Sequence, residues 1–189
     1  MIDTKERNNM LDTPLIEGTS NVLEGAELDY SIEVPDGEYT LTLVKMYPWK
    51  EITKDTRVNV RDENNRVVRG KDGKPVQEEV KNLTWHMANV VFMVEEGEYE
   101  RAVVHGSLST HPNGMGQLKS FMYCAGLFGV SANEIKDNLG VTVGAVVKNK
   151  TRSYTDTNTG LEKTITEATV YYYKKPEEVT IYSADTPEL

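Results

Sequence analysis

Three histidines and one cysteine carry the readiest acid–base and nucleophilic chemistry in this chain. His86, His105 and His111 fit no H-E-x-x-H spacing, no G-x-S-x-G surrounds a serine, and no G-x-x-x-x-G-K-[ST] offers a phosphate cradle. Cys124 lies beside an apolar stripe, where packing is expected and a reactive thiolate is not. Pro35-Asp36 and Glu79-Val80-Lys81 have the residue types of a magnesium site in which two acids hold the metal and a lysine orients water. Short charged triplets arise by chance, and Pro35-Asp36-Gly37 already makes a turn, so metal-dependent cleavage is the weaker reading. No metal or organic cofactor is expected.

A different pairing of residue types recurs along the chain: cations interleaved with flat aromatic rings. Lys45, Tyr47, Trp49 and Lys50 form one group. Arg57, Arg61, Arg66, Arg69, Lys71 and Lys74 follow it, and Lys148, Lys150, Arg152 and Tyr154 form another. Tyr171, Tyr173, Lys174 and Lys175 close the series. Single-stranded nucleic acid is held by this chemistry, with lysine and arginine neutralising phosphates while bases stack on aromatic faces. Trp49, flanked by Pro48 and Lys50, is the better stacking candidate, whereas Trp85 opens an apolar strand and is expected in the core. Each part has a plainer explanation, since tyrosines are good β-formers and lysines at hairpin ends discourage edge-to-edge aggregation.

The elements that must position these residues are mostly strands. Pro35-Asp36-Gly37 turns the chain into an alternating run over Tyr39–Val44, which Pro48 should end or bulge. Arg57–Arg61 alternates as a short half-buried strand with Val58 and Val60 inward. Residues 62–79 are polar and rich in Asn and Gly, the composition of a hairpin tip or loop. Asn82–Val94 and Tyr99–Leu108, joined at Glu96-Gly97-Glu98, predict a hairpin. Leu118, Phe121, Met122 and Ala125 make one helical stripe stopped by Gly126, and Ser131 with Glu134 has capping-box spacing for a second short helix. Val141–Lys148 and Lys163–Lys175 complete the order as strands, and no repeat of solenoid length is present. In the last strand, placing Ala168, Val170 and Tyr172 inward would turn Tyr171 and Tyr173 outward.

A mainly β chain in this order predicts a five-stranded, OB-fold-like Greek-key barrel. One helix lies between its third and fourth strands, with a short second helix after it. The domain is expected over residues 35–175, with residues 1–34 as an acidic, flexible or loosely docked leader and 176–189 as an acidic tail.

The net charge of −9 is concentrated in those ends. Residues 1–34 hold 8 acidic and 2 basic groups, residues 176–189 hold 4 acidic and none basic, and the body is close to neutral. A near-neutral body can carry a basic face. With one cysteine, no apolar h-region at Met1–Met10 and no apolar run of about 20 residues, a soluble intracellular protein is expected, without membrane contact.

Pro35-Asp36-Gly37-Glu38-Tyr39, the helix Leu118-Lys119-Ser120-Phe121 leading to Cys124-Ala125-Gly126, and Leu139-Gly140-Val141 resemble a family of small bacteriophage proteins. So does Val146-Val147-Lys148-Asn149-Lys150-Thr151-Arg152-Ser153-Tyr154. The family is taken to comprise OB-fold single-stranded-DNA-binding proteins of phage replication or recombination. The resemblance implies a non-enzymatic protein of the bacterial cytoplasm whose partner is single-stranded DNA, with the acidic tail as a contact for replication or recombination proteins. Two departures are the long polar stretch 62–79 and a tail ending Glu188-Leu189, without a terminal aromatic. The competing expectation is a structural or inhibitory phage protein whose barrel is a protein-binding scaffold.

Overall fold

The computed structural model describes residues 20–180. In chain order these form β1 (Asn21–Val22), β2 (Gly37–Met46), β3 (Lys50–Asn59), β4 (Gln77–Val94), β5 (Val103–Ser109) and helix α1 (Met115–Cys124). A 3-10 helix (Ala132–Asn138), β6 (Thr142–Thr155), β7 (Glu162–Lys174) and a 3-10 turn (Pro176–Glu178) follow. The chain is mainly β, with one seven-stranded sheet in the order β1-β2-β6-β7-β5-β4-β3. β2 pairs with β4 as well as β6, so the sheet curls into a ring of strands. Every link in that ring is antiparallel except β5–β7, a parallel contact narrowed to the single partner pair His105 and Thr169.

Alternation along these strands fills the interior. Leu41 and Leu43 of β2, Phe92 of β4, Val104 and Leu108 of β5, and Val143, Ala145 and Val147 of β6 are all fully buried there. Leu118, Phe121 and Met122 of α1 join them, as the helical stripe predicts. Phe121 meets Tyr173 edge-on at 5.2 Å and Phe92 at 6.1 Å between ring centroids. Burial of each such side chain stabilises by roughly 1.5–3 kcal/mol. Gly106 suits this packing, since an added Cβ would crowd Phe92 at 3.0 Å and Val90 at 3.1 Å. Gly126 has φ +70° just past the helix, and the backbone N–H of Ser131 donates to Glu134 Oε2 at 2.8 Å, both as the sequence predicts.

The outer face of the ring carries a second, smaller core. Val44, Val91 and Val103 are covered by Leu23, Ala26 and Leu28, while β1 pairs with the end of β2. From residue 20 onward the leader is therefore docked on the sheet; residues 1–19 and 181–189 lie outside the described residues.

Two hairpins are longer than expected. β3 starts at Lys50 and runs along β4 as a polar finger, although the alternation predicts a strand only over Arg57–Arg61. Residues 77–79, read as loop, belong to β4, and 62–76 are folded tightly at the finger's end. β6 and β7 likewise continue past the core as a hairpin closed at residues 156–161. Cross-strand contacts hold it together, including Thr151 with Thr166 at 2.9 Å and Arg152 with Glu167. No helix among the described residues is long and apolar enough to cross a membrane.

Candidate nucleic-acid interface

Directly paired residues in a sheet share a face. Lys45 pairs with Val91, Val91 with His105, His105 with Thr169, and Thr169 with Lys148. This row crosses five strands on the outer face, so Lys45 and Lys148 stand at its two ends. Four inter-strand steps of about 4.8 Å separate them, or roughly 19 Å along the sheet. Val91 itself lies beneath the docked leader. The open strip is therefore the neighbouring row, where Tyr47 donates its N–H to Asn89 O at 2.9 Å and Asn89 pairs with Ser107. Tyr171, two residues beyond Thr169, reaches the level of Ser107.

At each end of this strip a lysine lies over a tyrosine ring: Lys45 Nζ is 4.5 Å from the Tyr47 centroid and Lys148 Nζ is 4.3 Å from that of Tyr171. Tyr47 is 39% exposed and Tyr171 54%. The arrangement holds a cation over one face of a partly exposed ring at two stations, with exposed Asn89 and Ser107 between them. The two hairpins rise from opposite ends of the strip. Lys50 is exposed at the root of the β3–β4 finger, and Lys150 and Tyr154 are exposed along the β6–β7 hairpin on the same face as Lys148.

Several expected site residues are committed elsewhere. Trp49 is only 4% exposed and packs in the main core. The reason is a register step: Tyr47 stands opposite Asn89, but Lys50 stands opposite Met87. One extra residue, at Pro48, turns Trp49 inward beside Ala88. Trp85 is also buried, as expected, with His111 edge-on at 4.7 Å and Lys54 Nζ 5.7 Å from its ring.

Tyr173, expected outward, is 5% exposed, and burial pushes its hydroxyl well above the ordinary tyrosine range. Here the cause is a bulge. Val147 pairs with Val170 but Val146 pairs with Tyr172, so Tyr171 is the extra residue and the strand changes parity after it. Tyr172, expected inward, is exposed instead, with its ring 5.8 Å from that of Tyr171.

Among the cations, Lys174 is tied to Glu38 at 2.9 Å. The Lys174 ammonium and the Thr180 N–H together hold the Glu38 carboxyl below its ordinary value. Arg152 is engaged by Glu167 through two contacts of 3.0 Å, which raises its already high value. Arg61 and Arg69 donate to the carbonyls of Asn65 and Gly73 at 2.9 and 2.8 Å, so they brace turns. Arg57 is exposed opposite Glu79, and Arg66 is exposed at the finger's end.

The magnesium-site residues sit on different elements. Asp36 accepts the backbone N–H of Asn149 at 2.7 Å, which holds its carboxyl low, while Glu79 is on the finger. Among the described residues, no three His, Cys, Asp or Glu side chains are grouped to hold a metal ion.

A second exposed aromatic pair, Tyr123 and Phe128, was not singled out by sequence reasoning; the rings are 5.6 Å apart and Lys175 lies 5.2 Å over Tyr123. Glu177 and Glu178 act on Lys175 there, an anionic setting that suits phosphate poorly. Only the off-stripe Tyr123 within α1 and Phe128 just beyond it could have signalled it.

In comparisons with protein-family models, with curated proteins and with solved structures, nothing matches this chain.

Proposed function

We propose that this chain is a non-enzymatic single-stranded DNA-binding protein built on an OB-fold-like barrel. Supporting the fold reading, the five strands β2, β4, β5, β6 and β7 link as a ring, and α1 lies between the third and fourth of them in chain order. This order is the one the OB-type reading expects of a five-stranded Greek-key barrel. The observation that carries the function is the pair of lysine–tyrosine stations, Lys45 with Tyr47 and Lys148 with Tyr171, at the two ends of one outward strip. Lysine takes phosphate, tyrosine takes a base, and neither needs a particular sequence, as a general single-strand binder requires. Extension of this role to phage replication or recombination in the bacterial cytoplasm, with the acidic tail contacting partner proteins, rests on the motif resemblance alone.

A fluorescence-anisotropy titration of labelled oligothymidine across a salt series tests the reading. Saturable binding is expected, weakening with salt by a log–log slope of roughly 0.7 per phosphate contact. Absence of binding at low salt refutes it. Repeating the titration with oligouridine reads the preference between DNA and RNA. The exposed Tyr123–Phe128 pair in its acidic setting favours a second reading, a protein-binding scaffold. In that case a Tyr123→Ala, Phe128→Ala variant would lose a protein partner while any oligonucleotide affinity stayed unchanged.

A further inference from the structure

The end of the β3–β4 finger is an internal repeat. Eight residues separate Val60, Val68 and Val76, and the same spacing relates Arg61 to Arg69, Asn65 to Gly73 and Arg66 to Lys74. The hydrogen bonds repeat with it. Asp62 N–H donates to Arg66 O at 2.9 Å and Gly70 N–H to Lys74 O at 2.8 Å; Asn65 N–H donates to Asp62 O and Gly73 N–H to Gly70 O. Each turn closes through a residue of positive φ, 62° at Asn65 and 76° at Gly73, and each is braced by its arginine on that residue's carbonyl.

The repeats meet in a closed triangle, in which Val68 N–H donates to Val60 O, Val76 N–H to Val68 O, and Val60 N–H to Val76 O, each at 2.9 Å. Three hairpin arms thus radiate from one junction: the shaft of the finger and two tight lobes. Arg61 and Arg69 are exposed but engaged in bracing the turns, which leaves Arg66, Lys71 and Lys74 as the head's other exposed cations, among the exposed acids Asp62, Glu63 and Asp72. Lys74 lies 4.0 Å from Asp72, both well exposed. Asp62 accepts backbone N–H groups of Asn64 and Arg66, and Asp72 accepts that of Lys74.

The finger is also anchored. Asn113, in the loop before α1, accepts the N–H of Asn59 at 2.9 Å and donates to Arg57 O at 3.1 Å, which caps the open edge of β3. His111 Nε2 lies 3.3 Å from Thr56 Oγ1. The junction at Val60 therefore lies beside the loop before α1, while eleven residues of β4, roughly 36 Å of strand, separate Val76 from Met87 at the finger's root.

We infer that the two-lobed head is a second phosphate-binding station for the strand whose bases lie on the body, so that the footprint is bipartite. This inference rests on the proposed single-strand binding and extends it. A short oligonucleotide fills the strip between Tyr47 and Tyr171; a longer one also reaches Arg66, Lys71 and Lys74.

The test compares oligothymidines of about 5 and about 20 nucleotides on two variants of the full chain. In one, residues 61–75 are replaced by Asn-Gly, which can join Val60 to Val76 because those residues already face each other as antiparallel partners. In the other, Arg66→Gln, Lys71→Gln and Lys74→Gln are combined, changing only exposed side chains. Both variants are expected to bind the short probe within about twofold of wild type. Both should bind the long probe at least about tenfold more weakly at low salt, with the triple variant's salt slope shallower by roughly 2, at about 0.7 per lost contact. Equal effects on both lengths, or none on either, overturn the inference. Failure of the wild type to bind either probe would instead refute the single-strand reading itself.

Discussion

Replacing Tyr47 and Tyr171 with alanine, singly and together, perturbs the strip where the structure exposes both rings. Each ring lies under a lysine on the outward face, and their positions are three strand spacings of about 4.8 Å apart, roughly 14 Å measured along the curved sheet. Loss of one stacking face costs about 1–3 kcal/mol, a five- to 150-fold change in affinity at about 1.4 kcal/mol per factor of ten. At that separation, and with no shared partner, the two losses should add to within about 0.5 kcal/mol. The double variant is then weaker by about 2–6 kcal/mol. Anisotropy with an oligothymidine spanning both stations reads all four proteins at fixed salt. Far-ultraviolet circular dichroism and thermal unfolding serve as controls, and both should be unchanged because the rings lie outside the core. Wild-type affinity in both single variants, with the fold intact, refutes the reasoning; so does a loss confined to conditions in which the variants unfold.

Other perturbations separate packing from binding. Tyr173→Phe should leave oligonucleotide affinity unchanged, because the ring is in the core, whereas Phe121→Ala should destabilise by about 3–5 kcal/mol in a chemical-denaturation curve. Asn113→Ala removes two hydrogen bonds to the edge of β3, worth about 0.5–1.5 kcal/mol each. Hydrogen exchange should then quicken along Thr56–Asn59 while the core strands keep their protection.

His111 supplies a pH dependence. Its Nδ1 accepts the N–H of Asn113 at 3.1 Å, and burial, with Lys54 adding to it, lowers its titration below the ordinary 6.5. The folded state therefore favours the neutral ring. Its stabilising contribution is full above about pH 6.5 and is lost as pH falls from there through the lowered folded value. Melting temperatures measured from pH 7.5 down to 5.5 should fall more in wild type than in His111→Gln; parallel curves would contradict this.

The periodic parts of the fold were readable because one face of each is buried. Leu41 and Leu43 in β2, the α1 stripe and the Ser131–Glu134 pair all appear where their spacing puts them. The fingers were only partly readable: β3 is half-buried at Ile52, Thr56, Val58 and Asn59, so its apolar alternation is weak outside Arg57–Arg61, and the outer half of β6–β7 is exposed on both faces and carries none. Their strand form comes from cross-strand pairing that one sequence does not display. The two misplaced rings share a single cause. A one-residue bulge reverses every side chain beyond it, and Pro48 and Tyr171 each introduce one, which sends Trp49 and Tyr173 inward and Tyr172 outward. Proline marked the first of these; nothing in the run Val170-Tyr171-Tyr172-Tyr173 marks the second. The eight-residue repeat at the finger's end is too short for a search at solenoid length, and hydrogen bonds, more than side-chain identity, define it.

Photo-crosslinking reports most directly whether bases lie on the strip. An oligonucleotide carrying 5-iododeoxyuridine at successive positions would be irradiated on the intact protein, and the adducts mapped by mass spectrometry. Adducts at Tyr47 and Tyr171, with none at Trp49 or Tyr173, are the predicted result. Adducts concentrated at Tyr123 or Phe128 instead would contradict it.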